Sequence, residues 1–233
     1  MNNPFAMATS AAVTYPKQKA WSYSAVSNHA TCPQKIRFAK IDRVPEPPSP
    51  AMDRGSQIHK ACAARIDHGV DQQLVRPDWL MKIDELRARG AKSEVQLAFT
   101  KDWIPTEWFG ANVWGRVVID ANYMIAPNIV QIIEFKTGKV YPEHATQLRL
   151  YALAGFIMHP EATEARAENW YLDGAPSPLV GYVAQRSALE GLKREFTEFA
   201  RPLLNDDLYP ATPGRHCNWC GFAKSKGGPC DFG

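Results

Sequence analysis

Apolar residues along this chain change their spacing near residue 93, from the period of a helix to the period of a strand. The segment from Gly55 to Asp67 has the i, i+3, i+4 spacing that is typical of a buried helical stripe: Ile58, Ala61, Cys62 and Ile66. From Ser93 onwards apolar and polar residues alternate, with apolar positions at Val95, Leu97 and Phe99. This period of two predicts a strand.

Four other segments carry helical signals. The stretch from Ser22 to Ile41 predicts one or two short helices that break near its internal proline. A further helix is predicted to start at Pro77, where a first turn tolerates proline, and to end before Gly90. Pro142 to Met158 and Ala188 to Leu204 have amphipathic spacing, and the first of them opens on Pro and Glu, which favour a helix start.

The middle of the chain predicts a β-hairpin. Val113 to Ile125 and Ile129 to Lys136 are rich in β-branched residues, and only three residues join them. The second segment is apolar on both faces, as expected for a central strand covered on each side: Val130, Ile132 and Ile133. Two more predicted strands, Glu164 to Leu172 and Leu179 to Gln185, complete an α/β fold with a small mixed central β-sheet flanked by helices.

The composition is that of an ordinary globular protein, since 45% of the 233 residues are hydrophobic and 22% are charged. We expect one domain over residues 21–233, with residues 1–20 as an N-terminal arm and residues 214–233 as a cysteine-bearing tail. The sequence has neither a signal-peptide pattern nor the roughly 18 apolar residues of a membrane span, so we expect a cytoplasmic protein with no membrane partner. The net charge of +3 is a weak argument for a polyanionic partner.

Three residues of the predicted hairpin suggest a metal centre. Asp120 lies midway along its first strand, and Glu134 and Lys136 end the second. Because side chains alternate along a strand, Glu134 and Lys136 share a face, and pairing across the short turn brings Asp120 beside Glu134. Converging carboxylates bind hard divalent cations such as Mg²⁺ or Mn²⁺, which activate water and stabilise charge on a scissile phosphate. Ordinary strands also carry such residues, so these three do not decide the function alone.

The sequence motifs that surround these residues are more specific for a function. Four motifs follow one another along the chain: Gly-x-x-x-His at Gly55 to His59, a strand from Gly115 to Asp120, Glu-x-Lys at Glu134 to Lys136, and Gln-x-x-x-Tyr at Gln147 to Tyr151. In this order they resemble the PD-(D/E)XK nuclease superfamily, specifically its RecB-like branch. The second motif has one or two residues more than the Gly-x-x-Asp of that branch.

The resemblance implies a role for each matched residue. Three would coordinate the metal: His59, Asp120 and Glu134. Lys136 would be catalytic, while Gln147 and Tyr151 would line the site and touch DNA. One helical turn separates Gln147 from Tyr151, which allows both side chains to enter one pocket. The residues themselves also allow plainer roles, since Tyr151 can be a core residue and His59 a satisfied helix histidine.

The cysteines suggest a second metal site. Three lie in the tail and one near the start of the predicted domain: Cys217, Cys220, Cys230 and Cys32. Four thiolates in a reducing compartment suit zinc or an iron–sulfur cluster. RecB-like nucleases of the AddB and CRISPR-adaptation type have the same order of cysteines, so the resemblance implies a 4Fe-4S cluster that joins the two ends. The nine-residue gap before Cys230 is longer than in the best-known members, and His216 can replace a cysteine, which keeps zinc as the second candidate. Cys62 is expected to be a core residue.

The expected function is a metal-dependent deoxyribonuclease, with an exonuclease or end-processing enzyme of DNA recombination, replication or repair ranked first. The alternatives are a structure-specific endonuclease and a DNA-binding module that acts with a helicase. We expect DNA that is single-stranded or has a free end as the substrate, and a helicase or recombination protein as a partner. Four aromatic residues before Asp120 would either stack on unpaired bases or cap the core: Trp103, Trp108, Phe109 and Trp114. A compact nuclease without a fused helicase is similar to those of bacteriophages.

Overall fold

The computed structural model describes residues 13–47, 49–176 and 180–233, and its centre is a six-stranded sheet. The strands are β1 (Lys92–Phe99), β2 (Pro105–Thr106), β3 (Gly115–Ala126), β4 (Ile129–Lys136), β5 (Glu164–Tyr171) and β6 (Val180–Gln185). Their order across the sheet is β2-β1-β3-β4-β5-β6. Neighbouring strands are antiparallel except β4 and β5, which run parallel. The predicted mixed sheet is confirmed.

Six α-helices surround this sheet in the described part of the chain. They are α1 (Tyr23–Thr31), α2 (Pro33–Ile36), α3 (Pro50–His68), α4 (Pro77–Ala88), α5 (His144–Met158) and α6 (Leu189–Asn205). A π-helical turn over Arg37–Ile41 continues α2. The predicted break in the first helical segment is confirmed, because Cys32 leaves the helical conformation and Pro33 opens α2.

Two hydrophobic clusters cover opposite faces of the sheet. Side chains alternate along β4, so Val130 and Ile132 pack with α5 and α6 in the first cluster, while Ile133 and Phe135 pack with α3 and α4 in the second. All four of these side chains are at most 1% exposed. The expectation of a central strand covered on both sides is therefore confirmed.

The parallel pair of strands requires a crossover, and α5 provides it. This helix packs closely on β4 and β5 because Gly155 faces the sheet. A Cβ atom at Gly155 would lie 2.8 Å from Cδ1 of Ile132 and 3.0 Å from Cγ1 of Val130. The close packing fixes α5, and with it Gln147 and Tyr151, relative to the strands.

Several boundaries differ from the expectations for local reasons. The helix expected from Gly55 begins at Pro50, because the apolar stripe does not reach the exposed first turn. The helix expected from Pro142 begins at His144, after a turn formed by the preceding residues. Strand β2 is only two residues long and pairs with β1. The last strand begins at Val180, and Leu179 lies outside the described residues.

The segment before α1 is tied to the start of β3. Trp21 is 2% exposed, and its N–H donates to the carbonyl of Trp114 at 3.0 Å, while its own carbonyl accepts from the N–H of Arg116 at 2.9 Å. Its ring packs among aromatic side chains that include Phe99 and Phe196. This anchoring holds residues 18–25 along one wall of the cavity described next.

Candidate active site

One cavity of about 580 Å³ contains most of the candidate site residues. Five of the six candidate residues line it: His59, Asp120, Glu134, Gln147 and Tyr151. The sixth, Lys136, is hydrogen-bonded to two of them. The fold therefore brings together side chains from α3, β3, β4 and α5 that lie as far apart as residues 59 and 151 in the sequence.

The hairpin positions Asp120 next to the end of β4. Ala121 pairs with Ile133, which places Asp120 opposite Glu134 at the next position of the same register. Oδ2 of Asp120 accepts the backbone N–H of Phe135 at 2.7 Å, so the carboxylate takes over a ladder hydrogen bond where the two strands separate. Asp120 is 7% exposed, and this bond holds its carboxylate in place.

Helix α3 supplies His59, and Gly55 allows the helix to approach. Nδ1 of His59 lies 3.0 Å from Oδ1 of Asp120. One turn earlier, a Cβ atom at Gly55 would lie only 3.3 Å from Oγ1 of Thr137, just beyond β4. Asp173 strengthens this junction, since its carboxylate accepts the N–H of Gly138 at 2.6 Å and binds the guanidinium of Arg54. The Gly-x-x-x-His motif thus has a steric reason as well as a chemical one.

Glu94 joins the site, although the sequence analysis did not single it out. Ligand atoms of His59, Glu94 and Asp120 all lie within 4.8 Å of one another, and this is the one such group among the described residues. The φ angle of Glu94 is +48°, in the left-handed region that residues other than glycine rarely adopt. The residues on either side of Glu94 pair with Ala121 and Ile119, which flank Asp120, so only the strand register reveals this neighbour.

A chain of hydrogen bonds links the other four candidate residues. Nζ of Lys136 donates to Oε1 of Glu134 at 2.8 Å and to Oε1 of Gln147 at 2.6 Å. The amide nitrogen of Gln147 donates in turn to Oε1 of Glu134 at 3.1 Å and to the hydroxyl of Tyr151 at 2.8 Å. Tyr151 is therefore part of the polar site as well as of the first hydrophobic cluster.

The crowding of these charges changes their proton affinities. Burial and the nearby charge of Asp120 raise the pKa of Glu134 to about 7, against the opposing charge of Lys136. Burial would lower the pKa of His59, but its hydrogen bond to Asp120 and the surrounding carboxylates raise it overall. Burial also raises the pKa of Tyr151 well above its usual range, which keeps its hydroxyl neutral. A bound cation would reduce the repulsion between these buried carboxylates.

Four cysteines meet around a second cavity of about 220 Å³. Cys32, Cys217, Cys220 and Cys230 all line it, together with apolar side chains that include Phe38 and Phe222. Their sulfurs do not form a group within 4.8 Å in the described residues, whereas four thiolates on one zinc ion would lie roughly 3.8 Å apart at Zn–S distances of about 2.3 Å. Cys62 is fully buried outside this cavity, and burial raises the pKa of its thiol to about 12.

The aromatic residues before Asp120 divide between the two expected roles. Trp103 and Trp114 pack against Trp21 in the core. Trp108 instead lines the active-site cavity, and Phe109 is 89% exposed. Core capping is therefore the observed role of two of the four, and Trp108 is the one that faces the site.

The sequence also matches a known family. Residues 20–225 match the family model of the PD-(D/E)XK nuclease superfamily, which is most of the chain. The chain belongs to this superfamily. The superfamily expected from the four motifs is thus confirmed, and with it the assignment of the chain as a nuclease.

The similarity to individual solved structures is lower. The crystal structure of SSO0001 is 16% identical, with 93% of this chain and 88% of that chain covered and a TM-score of 0.43. A protein of Eubacterium rectale named "Putative exonuclease" is 14% identical, with 78% and 80% covered and a TM-score of 0.43. No curated protein matches the sequence. None of the helices described is long and apolar enough to cross a membrane.

Proposed function

We propose that this PD-(D/E)XK protein is a Mg²⁺- or Mn²⁺-dependent deoxyribonuclease of the RecB-like branch that acts on DNA ends, as an exonuclease or end-processing enzyme. One observation carries the proposal: His59, Asp120 and Glu134 meet in one cavity, beside a lysine that is hydrogen-bonded to Glu134. The expected substrate is a DNA strand that is single-stranded or has a free end. A helicase or recombination protein is the expected partner.

The donor set fits a hard divalent cation. His59, Glu94 and Asp120 offer one imidazole nitrogen and two carboxylates within 4.8 Å of one another. Carboxylates suit Mg²⁺ and Mn²⁺, and Glu134 is a fourth candidate ligand because it lies opposite Asp120. When bound, the ion would lower the pKa of water and stabilise charge on the phosphate.

The protein's own groups would position the reactants. Glu134 and Gln147 both accept hydrogen bonds from Nζ of Lys136, so they fix the direction of its ammonium group. A fixed ammonium stabilises negative charge that develops on a phosphate and can orient the attacking water. Tyr151 holds the amide of Gln147, which makes it a positioning residue for the same lysine.

The cysteine cavity supports a structural 4Fe-4S cluster, with zinc as the second candidate. The four cysteine side chains line one cavity, and among the described residues no three of their sulfurs lie within 4.8 Å of one another, as they would around one zinc ion. A cluster there would join Cys32 to the C-terminal tail and couple metal binding to folding. Visible absorption and metal analysis of protein purified without oxygen test this assignment, and a colourless, iron-free preparation would refute it.

Two substitutions test the nuclease assignment. We expect Asp120→Asn and Lys136→Met each to lower Mg²⁺- or Mn²⁺-dependent DNA cleavage about 100-fold or more, while circular dichroism shows a folded protein. Lys82→Met is the matched control, because Lys82 lies on α4 over the ring of Trp170 and outside the cavity. Full activity in either site variant would contradict the proposed catalytic centre.

The same assay distinguishes the mode of action. An exonuclease degrades end-labelled linear strands and leaves closed circles intact. Equal cleavage of both would identify a structure-specific endonuclease instead. DNA binding without cleavage in either metal would leave a DNA-binding module that acts with a helicase.

A further inference from the structure

A second group of residues lies in the active-site cavity but outside the proposed catalytic centre. Arg116 and Trp108 both line it, on the side where the chain enters β3. Nε of Arg116 donates to the carbonyl of Trp108 at 2.8 Å, and its guanidinium carbon lies 5.6 Å from the centre of the Trp108 ring. The two side chains therefore form one unit, with a cation next to an aromatic face.

Strand alternation aligns this unit with the catalytic centre. Arg116, Val118 and Asp120 are alternate residues of β3, and all three line the cavity. At about 3.4 Å per residue, Arg116 lies roughly 14 Å along the strand from Asp120. A DNA strand that follows β3 would therefore reach Arg116 a few nucleotides from the scissile phosphate.

The charge of Arg116 is not matched by a neighbouring carboxylate in the described part of the chain. Among the described residues, Arg116 has no carboxylate within ion-pair distance, and the bond to Trp108 uses only Nε. The terminal N–H groups of its guanidinium remain available to an acceptor. Planar guanidinium groups bind phosphate through two hydrogen bonds. Lys40 and the N-cap residue Ser22 line the same cavity.

The aromatic face of Trp108 favours DNA with unpaired bases. A tryptophan ring stacks on a base only when that base has a free face, and such stacking tolerates any sequence. Pockets of about 300–1,000 Å³ hold a drug-sized ligand, so a cavity of about 580 Å³ is large enough for a nucleotide.

We infer that Trp108 and Arg116 form a subsite for single-stranded DNA, in which Trp108 stacks on an unpaired base and Arg116 binds a neighbouring phosphate. This inference rests on the proposed nuclease function, because it takes DNA as the ligand. It narrows the expected substrate to single-stranded DNA and names the residues that bind it. The subsite acts in binding and does not take part in bond cleavage.

Binding measurements in the Asp120→Asn background test the subsite without cleavage. The probes are a labelled oligodeoxythymidine strand and a labelled blunt-ended duplex, and the readout is fluorescence anisotropy over a range of salt concentrations. We expect Trp108→Leu to weaken binding of the single strand about 5- to 150-fold, from a stacking contribution of about 1–3 kcal/mol. Trp108→Phe should retain most of the affinity, and duplex binding should not change.

Arg116 has a separate signature. Arg116→Met should reduce the slope of log affinity against log salt by about 0.7, the value for one phosphate contact with a single strand. Arg116→Lys should largely restore that slope, because it keeps the charge but loses the bond to the Trp108 carbonyl. A purely structural role for Arg116 predicts the opposite: no change in slope, and no rescue by lysine. Lys82→Met alters the net charge equally but outside the cavity, so its slope should match the parent.

The outcomes separate this inference from the nuclease proposal. If folded Trp108→Leu binds the single strand as tightly as the parent and Trp108→Phe do, the stacking role is wrong. An unchanged salt slope in Arg116→Met would overturn the phosphate contact. If the wild type neither cleaves DNA nor binds either probe, the nuclease proposal itself fails, and that result is recognised before any subsite variant is made.

Discussion

Replacing Glu134 with glutamine should stabilise the metal-free protein at high pH. Glu134 is 7% exposed and lies beside a second carboxylate, and its pKa is raised from 4.5 to about 7. The folded state therefore holds this proton more tightly than the unfolded state does. The stability that Glu134 contributes is fully present below pH 4.5 and is lost as the pH rises through about 7.

The size of the effect follows from the shift. Each pKa unit corresponds to about 1.4 kcal/mol, so ionising Glu134 in the folded protein costs on the order of 3 kcal/mol above its pKa. Glutamine has no such titration, and its amide oxygen can still accept from Lys136. Relative to the wild type, Glu134→Gln should therefore gain about 3 kcal/mol between pH 4.5 and pH 8. For a chain of this size, about 1 kcal/mol shifts the melting temperature by roughly 2–4 °C.

Urea unfolding in the presence of a chelator, from pH 4.5 to pH 8.5, measures this difference directly. Comparing the variant with the wild type at each pH cancels the titration of groups that both proteins share. The control is Glu85→Gln, which removes a carboxylate on α4 outside the cavity and measures the effect of such a substitution away from the site. A free-energy difference between Glu134→Gln and wild type that is constant across the range would refute the reasoning.

Three further predictions concern other parts of the molecule. Gly155→Ala should lower the melting temperature, because overpacking against Ile132 costs about 1–3 kcal/mol, against a gain in helix propensity of about 1 kcal/mol. Gly191→Ala is the control and should raise the melting temperature, because a Cβ atom at Gly191 would meet no atom within 4 Å. Glu94→Gln should weaken Mn²⁺ binding about tenfold or more in calorimetry without lowering the metal-free melting temperature, and unchanged affinity would remove Glu94 from the ligand set. Burial would raise the pKa of Asp206, but hydrogen bonds from the Tyr209 N–H and from His29 lower it overall. The stability that Asp206 contributes is therefore present above its unfolded pKa and should be lost as the pH falls through the lower folded pKa. In Asp206→Asn, the loss of stability between pH 5 and pH 3 should be shallower than in the wild type.

The central sheet could be predicted because its sequence signals are local. The hairpin of β3 and β4 has long β-branched segments and a short connection, and both strands lie within two residues of the expected bounds. The apolar run of β4 also predicted coverage on both faces. Strand β2 was missed because two residues give no periodicity, and its pairing with β1 depends on the turn that follows Phe99.

The candidate site was predictable only where neighbours follow from short-range geometry. Asp120 and Glu134 face each other across one hairpin, and Gln147 and Tyr151 are one helical turn apart. Glu94 could not be found in this way, since its place beside Asp120 depends on the register between β1 and β3. The roles of the aromatic residues could not be predicted from the sequence either. Trp103 and Trp108 have similar neighbours in the sequence, but Trp103 lies in the core and Trp108 lines the cavity.

The left-handed backbone at Glu94 has an evolutionary consequence. A glycine at this position would adopt φ = +48° without steric cost, so the fold alone would favour replacing the glutamate. A role of its carboxylate in the proposed metal site would oppose that replacement. In homologues that have lost metal-dependent cleavage, this position should drift towards glycine or asparagine before the core of the sheet changes. Residue 94 is thus a marker by which active and inactive descendants of this fold could be sorted from sequence alone.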